Sequence, residues 1–281
     1  ADGSLDTAFN PSGGMNGFVS AIAVDKARSI LYTPNANFNG LDTFTYTATD
    51  GVVSTPTTVT VLVNNSPTLD NSGAPTLTAQ NQNDSASTGT LISTIITNLG
   101  GTKIVDPNAT ASQGIAISAL DTANGTWQYT TNGTTWTNAP AVSATNALLL
   151  ANNANTKIRF VPNAGYNGTL ANAITFAAWD QIVGTNGTTA NYTTDRTNNT
   201  TSSVFSSATE TASITINPPP TITSVTSTTA NGSYNTTGNI NVTLNFSKAV
   251  TLAGGNMTVA LDTGGTVTIA PFTGTSAVGT Y

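Results

Sequence analysis

The side chains that usually perform chemistry in proteins are scarce in this sequence of 281 residues. It contains no His and no Cys, so it has no imidazole base, no thiolate nucleophile and no disulfide, and it lacks the usual zinc ligands. A Ser-His-Asp triad is therefore impossible. The 13 acidic residues are spread thinly, mostly at predicted turns, and form no recognisable glycosidase pair. We expect that the protein is not an enzyme.

Aromatic side chains offer the second kind of chemistry, stacking against a sugar. The candidates for carbohydrate binding are Trp127, Trp136 and Trp179. The same residues have another interpretation, because Trp127 and Tyr129 alternate on one face of a predicted strand and an Asn-Gly turn at 132–133 returns Trp136 towards them. Such spacing builds a hydrophobic cluster without any ligand. We favour the core interpretation and keep carbohydrate binding as an alternative.

The charge content restricts the partners. Charged residues make up 7% of the chain, against about 25% in an ordinary soluble domain. A net charge of −6 argues against nucleic acid, whose phosphates require clustered Lys and Arg. No apolar run approaches the roughly 20 residues that span a bilayer, so we expect no membrane span. Low charge also reduces repulsion between copies, which favours lateral or end-to-end packing of the chain with itself.

Period-two alternation of apolar and polar residues is the main structural signal. It predicts half-buried strands with Thr on the solvent-exposed face, and these strands are separated by Asn-Gly and Asp-Gly turns. The clearest alternating segments are 43–49, 58–63, 212–216 and 240–246. Only 144–154 has the character of a short helix. The pattern predicts an all-β fold of tandem antiparallel β-sandwiches.

Proline-containing segments at 64–67 and 217–220 follow two of these strands and predict short, stiff linkers between domains. An internal repeat supports this division. Residues 32–40 read Tyr-Thr-Pro-Asn-Ala-Asn-Phe-Asn-Gly, and residues 160–168 read Phe-Val-Pro-Asn-Ala-Gly-Tyr-Asn-Gly. Each copy is followed by an aromatic strand that ends in Asp. The two copies therefore indicate tandem modules.

These motifs resemble the tandem modules of giant bacterial surface adhesins. Residues 32–67 resemble the C-terminal half of a cadherin-like module, by the pattern Tyr-x-Pro-Asn-x-x-Phe-x-Gly-x-Asp-x-Phe-x-Tyr-x-x-x-Asp-Gly. Residues 68–217 resemble a longer cadherin-like repeat, with Gly-Thr-Trp-Gln-Tyr and Ala-Trp-Asp among its matching motifs. Residues 218–281 resemble the first part of a bacterial Ig-like module, and residues 2–11 resemble one propeller-type repeat. The predicted domains are 1–65, 66–217 and 218–281.

The resemblance also implies a candidate metal site, because cadherin-like modules often hold Ca²⁺ at their junctions. The acidic residues that fall at such positions are Asp50, Asp106, Asp180 and Glu210. Calcium prefers several oxygen ligands, mostly carboxylates. Here Asn64-Asn65 stands where related modules commonly carry Asn-Asp, and Asn108 stands where a second Asp is common. We therefore expect that any Ca²⁺ binding is weak and that rigidity comes from prolines, aromatic residues or contacts between copies.

Two hypotheses for function remain at this point. The first is a structural segment of a bacterial adhesin or surface filament, secreted or on the cell surface, which provides reach, stiffness and contacts between subunits. The alternative is a calcium-dependent module that binds carbohydrate, such as host or cell-surface glycans, or another receptor.

Overall fold

The computed structural model describes residues 19–24, 30–35, 38–49, 54–108, 112–193, 203–235 and 238–281. The chain divides into two compact units, 1–217 and 218–281. Across the described ranges the regular structure is β apart from one short helix, α1 (Ile92–Thr97). The prediction of an all-β fold with antiparallel sandwiches is confirmed.

Unit 1 begins with two antiparallel hairpins. Their strands are β1 (Val19–Val24), β2 (Ile30–Pro34), β3 (Gly40–Thr49) and β4 (Ser54–Val63). Strand β1 pairs with β2, and β3 pairs with β4. Alternation along β3 buries Asp42 and Phe44, and the Phe44 ring stacks on Tyr32 with the ring centroids 6.5 Å apart. Asp42 Oδ2 accepts a 2.6 Å hydrogen bond from the Tyr32 hydroxyl, which ties the two hairpins together.

The rest of unit 1 is a β-sandwich. Its strands are β5 (Thr68–Leu69), β6 (Gln80–Asn81), β7 (Thr90–Leu91), β8 (Ile104–Val105), β9 (Gly114–Leu120), β10 (Gly125–Thr130), β11 (Thr137–Asn138), β12 (Ala147–Ala151), β13 (Lys157–Pro162), β14 (Gly168–Trp179), β15 (Thr189–Ala190) and β16 (Phe205–Asn217). One sheet has the order β11-β10-β13-β7, the other β15-β12-β9-β14-β16-β6, and β5 pairs with β8. Among the described strand pairs, β6 and β16 alone run parallel.

The main core lies between the two large sheets. It contains Ile115 and Ile117 from β9, Trp127 from β10, Phe160 from β13 and Phe176 from β14. On β10 and β13 these side chains alternate with partly or fully exposed residues, as expected for a sandwich, whereas Ala116 between Ile115 and Ile117 on β9 is also buried. All five are at most 2% exposed.

A second cluster covers the opposite face of the larger sheet. It packs Leu149, Trp179 and Phe205, the first residue of β16, against Tyr192 and Val204 from the connection between β14 and β16. Strand β12 is consequently buried on both faces, and all five of its residues are buried. The prediction of a short helix at 144–154 is therefore wrong. A strand that is buried on both faces lacks the alternation of apolar and polar residues that identifies a strand in the sequence.

Unit 2 forms one antiparallel sheet of five described strands. They are β17 (Ile222–Thr226), β18 (Asn241–Leu252), β19 (Met257–Ala260), β20 (Thr266–Ile269) and β21 (Phe272–Thr280), in the order β17-β18-β21-β20-β19. One face buries Leu244, Val267 and Ile269, and Phe246 stacks on Phe272 with the centroids 5.8 Å apart. Within the described ranges of both units, no helix is long and apolar enough to cross a membrane.

Candidate functional site

Polar side chains from three parts of unit 1 meet where β4 ends and the sandwich begins. Asn64 and Asn65 directly follow β4, Asp106 and Asn108 follow β8, and Asp180 follows β14. We call these five residues the junction network. Each lies just past the end of a strand, where the backbone leaves the sheet and a side chain is free to turn towards the junction. Asn64, Asn108 and Asp180 are buried.

Asn108 connects the sandwich to the backbone of the incoming chain. Its Nδ2 donates to the carbonyl of Val63 at 3.0 Å, and its Oδ1 accepts from the Asn65 N–H at 2.9 Å. The Asn108 backbone N–H in turn donates to Asp106 Oδ1 at 2.8 Å. One carboxamide thus pairs with both backbone groups as a neighbouring strand would, because it carries a donor and an acceptor side by side.

Asp180 is the most deeply buried acid of the network, at 2% exposure. Its Oδ2 accepts from Asn64 Nδ2 at 2.8 Å and its Oδ1 accepts from the Ile182 N–H at 2.9 Å. Burial is the main influence on the Asp180 carboxyl and raises its pKa to about 6; the charge of Asp106 raises it further, while the hydrogen bonds from Ile182 and Asn64 oppose the shift. Two carboxylates therefore share a poorly solvated region.

The network contains more acceptors than donors. Three buried oxygens, Asn64 Oδ1, Asn65 Oδ1 and Asp106 Oδ2, have no hydrogen-bond partner among the described residues. Burial raises the pKa of Asp106, although the Asn108 N–H opposes this shift. Carboxylate and amide oxygens are the ligands that hard cations such as Ca²⁺ prefer. The oxygens are thus of the chemical type that a cation prefers, but the described ranges contain no group of three or more acidic residues that could hold a metal ion.

Of the other two acids predicted as metal ligands, the structure describes only Glu210, which does not belong to this network. Asp50 lies outside the described residues. Glu210 lies on β16 opposite Phe176, and its Oε1 accepts from the Thr211 N–H at 2.7 Å. Glu210 Oε2 is buried and without a hydrogen-bond partner in the described part of the chain. The structure thus brings together Asp106 and Asp180, two of the four.

Two of the three tryptophans are core residues. Trp127 is 2% exposed, its ring lies 5.0 Å from that of Phe160 between centroids, and its Nε1 donates to the Asp121 carbonyl at 2.7 Å. Trp179 is 1% exposed and donates to the Val183 carbonyl at 2.8 Å. A sugar cannot stack on either ring while both are packed in this way. Their burial agrees with the core interpretation rather than with the carbohydrate alternative.

Trp136 lies elsewhere than the hairpin argument expected. It is half-buried on the outer face of the smaller sheet, where the Arg159 guanidinium sits 4.1 Å from the ring centroid. Arg159 also donates through Nε to Gln128 Oε1 at 2.9 Å, which fixes the guanidinium over the ring. Trp136 therefore does not join Trp127 in the core, because the turn at 132–133 and the residues after it carry Trp136 to the outer face.

The hydrogen bonds that the asparagines donate across the junction were not predicted from the sequence. The resemblance implies that Asn65 and Asn108 replace acids, and it predicts weak Ca²⁺ binding with rigidity from prolines, aromatic residues or contacts between copies. The structure shows that Asn64 and Asn108 supply N–H donors that carboxylates lack, and both donors reach across the junction. The presence of Asn rather than Asp was visible in the sequence. An amide N–H can donate a hydrogen bond to a buried Asp carboxylate, whereas a second carboxylate would repel it.

The bacterial Ig domain is the family whose model matches this chain, at residues 2–64. The match supports an Ig-like module at residues 2–64, whereas the sequence motifs predict the Ig-like module at 218–281. Bacterial Ig domains are commonly non-enzymatic structural modules of surface or secreted proteins. No curated protein and no solved structure matches the chain significantly.

Proposed function

We propose that the chain is a structural segment of an extracellular bacterial adhesin or surface filament, in which the junction network holds consecutive modules in a fixed orientation. The observation that carries this proposal is the set of hydrogen bonds from Asn64, Asn65 and Asn108 across the junction. An Ig-like match, a sandwich core and a low charge content are consistent with a mechanical role.

The network suits such a role because its bonds are short and protected from water. A buried hydrogen bond contributes about 0.5–1.5 kcal/mol net, and leaving one partner unsatisfied costs about 1–3 kcal/mol. Bending at the junction would break several of these bonds together, since Asn108 holds the backbone of both Val63 and Asn65. The junction therefore resists bending without any disulfide.

The mechanical role is tested by pulling single molecules of the whole chain between its termini. We expect the segment up to Val63 to detach from the sandwich in a distinct force event that disappears in the double variant Asn64→Ala/Asn108→Ala. A force trace that is identical in the wild type and the double variant would contradict the proposal. Labelling intact cells of the source bacterium with antibodies against the chain tests the surface location.

A second function is favoured by the unsatisfied oxygens of the network, namely binding of Ca²⁺. Asp106, Asp180, Asn64 and Asn65 would hold the ion, and its charge would relieve the repulsion between the two carboxylates. The ion would then stabilise the folded junction in proportion to its concentration over the Kd. Replacement of acids by amides lowers the ligand charge, so the expected affinity is in the millimolar range, on the order of extracellular calcium sites.

Thermal unfolding in 10 mM CaCl₂ and in EDTA tests this second function. We expect a higher Tm in calcium for the wild type and no difference for Asp106→Asn. The matched control is Asp262→Asn, which removes an exposed acid from unit 2 and should keep the calcium response. Equal Tm values for the wild type in CaCl₂ and EDTA would exclude the calcium site and leave the mechanical proposal standing.

A further inference from the structure

Strand β17 lies at one edge of the unit 2 sheet and exposes apolar side chains on the core face. Val225 pairs with Leu244 of β18, and Ile222 pairs with Phe246, so all four side chains point to the same face. Leu244 is 2% exposed, but Val225 and Ile222 are 59% and 56% exposed. The core face is therefore buried at β18 but exposed to solvent at the edge strand β17.

The backbone of β17 is also open on one side. It pairs with β18, and no other described strand lies beside it. An edge strand of this kind presents N–H and C=O groups that can pair with an added strand. A partner that satisfies both features must therefore be an extended strand with apolar side chains on one face.

The charge of the region favours a partner strand that is itself uncharged. Residues 222–226 are Ile-Thr-Ser-Val-Thr, without charge, and the whole of unit 2 has one Lys and one Asp. A charged partner would find no counter-charge on β17 itself. Two copies of β17, in contrast, meet without repulsion and carry the same apolar and hydroxyl groups.

We propose that the β17 edges of two copies of this chain pair antiparallel to form a two-fold symmetric dimer. In one register Ile222 faces Val225 of the second copy, and Val225 faces Ile222 of that copy. Both pairs then lie on the core face, so each copy covers the exposed apolar side chains of the other. A symmetric pairing of this kind uses the same surface on both subunits.

Two features of the sequence keep this contact small. Three prolines, Pro218–Pro220, precede β17, and proline lacks the N–H that a ladder requires. The register of β17 against β18 also shifts between Ile222 and Ser224. A contact of five residues falls below the roughly 1,200 Å² of a stable interface, so the dimer is weak and forms at high local concentration.

This inference rests on the proposed function in one respect, because copies of a surface protein or filament lie close together. The two ideas nevertheless fail separately. The junction experiments probe unit 1, whereas the dimer is probed through unit 2.

Sedimentation equilibrium of the full chain from about 10 µM to 1 mM tests the proposal, since a Kd of 1 mM is near the weak limit of specific association. We expect the average mass to rise above that of one chain for the wild type and to stay at one chain for Val225→Lys. The matched control is Val278→Lys, a site with 56% exposure that pairs with Thr243 and so faces away from the core, and it should dimerise like the wild type.

A second measurement keeps the proposal testable if Val225→Lys fails to fold. In the wild type, amide NMR signals of residues 222–226 should shift with protein concentration, while those of β19 at the opposite edge should not. A monomer at every concentration, an equal loss of dimer in both Lys variants, or concentration-dependent shifts centred on β19 would overturn the proposal.

Discussion

Removing the Asn108 side chain should release the incoming chain from the sandwich while leaving the sandwich folded. Asn108→Ala deletes two hydrogen bonds, those with the Val63 carbonyl and the Asn65 N–H. Asn108 is 6% exposed, so water has little access to the two backbone groups that lose their partner. At about 1–3 kcal/mol for each of the two unsatisfied groups, the expected loss of junction stability is about 2–6 kcal/mol.

Hydrogen exchange at the Asn65 amide measures this loss directly. If the amide exchanges through local opening, the expected loss of stability corresponds to about 30- to 25,000-fold faster exchange. The amides of β9 and β14 in the core should keep their protection. The matched control is Asn138→Ala, whose exposed side chain accepts one hydrogen bond from Gln128 and should leave every rate nearly unchanged. An Asn65 amide that exchanges equally fast in wild type and Asn108→Ala would refute the reasoning.

Three further predictions concern acids and aromatic residues of unit 1. Burial raises the Asp180 pKa from 3.8 to about 6, so the folded state binds the carboxyl proton more tightly than the unfolded state does. The free energy of unfolding should therefore fall by at most about 3 kcal/mol as pH rises from 4 to 6. Urea unfolding should show a weaker dependence of stability on pH in Asp180→Asn. Hydrogen bonds, chiefly from Ser72, lower the Asp70 pKa to about 2, so the ionised Asp70 carboxylate stabilises the folded state above pH 4 and this stabilisation is lost as pH falls towards 2. The acid limb of the stability profile should be shallower in Asp70→Asn than in the wild type, and an unchanged limb would contradict this assignment. In denaturant unfolding, Trp127→Ala should lower the free energy of unfolding by about 3–5 kcal/mol, whereas Trp136→Ala should lower it by about 1 kcal/mol. Similar losses in the two variants would show that the core and surface environments are misassigned.

Strands that have one wet face could be predicted from the sequence. The alternating segments 43–49 and 58–63 lie within β3 and β4, and 240–246 overlaps β18. In each case one face of the strand packs on apolar side chains and the other carries Thr or Asn. Apolar and polar residues therefore alternate along the sequence of such a strand. The ends of these strands were less predictable, because strand ends depend on pairing rather than on alternation.

Elements buried on all sides could not be predicted in the same way. Strand β12 lost its alternation because the chain beyond β14 covers its second face. Helix α1 contains Ile and Thr residues that usually favour strands, but its Ile92, Ile95 and Ile96 are buried at helical spacing. Packing against the sandwich outweighs local propensity in both cases. That information lies in the tertiary contacts and not in the segment itself.

The candidate site was predictable in position but not in chemistry. The resemblance to cadherin-like modules led to Asp106 and Asp180, and the structure places both in one network with Asn64. The direct hydrogen bonds of Asn108 to two backbone groups depend on the side-chain orientation that the fold imposes. The resemblance implied that acids had been replaced by amides, whereas the hydrogen bonds show that the amides connect the incoming chain to the sandwich.

Backbone ¹⁵N relaxation of the full chain tests most directly whether the junction network makes the N-terminal segment and the sandwich one rigid body. We predict the same rotational correlation time for the amides of β3 and β4 as for those of β9 and β14. A clearly shorter correlation time for β3 and β4 would show that the segment moves independently, and it would contradict the account.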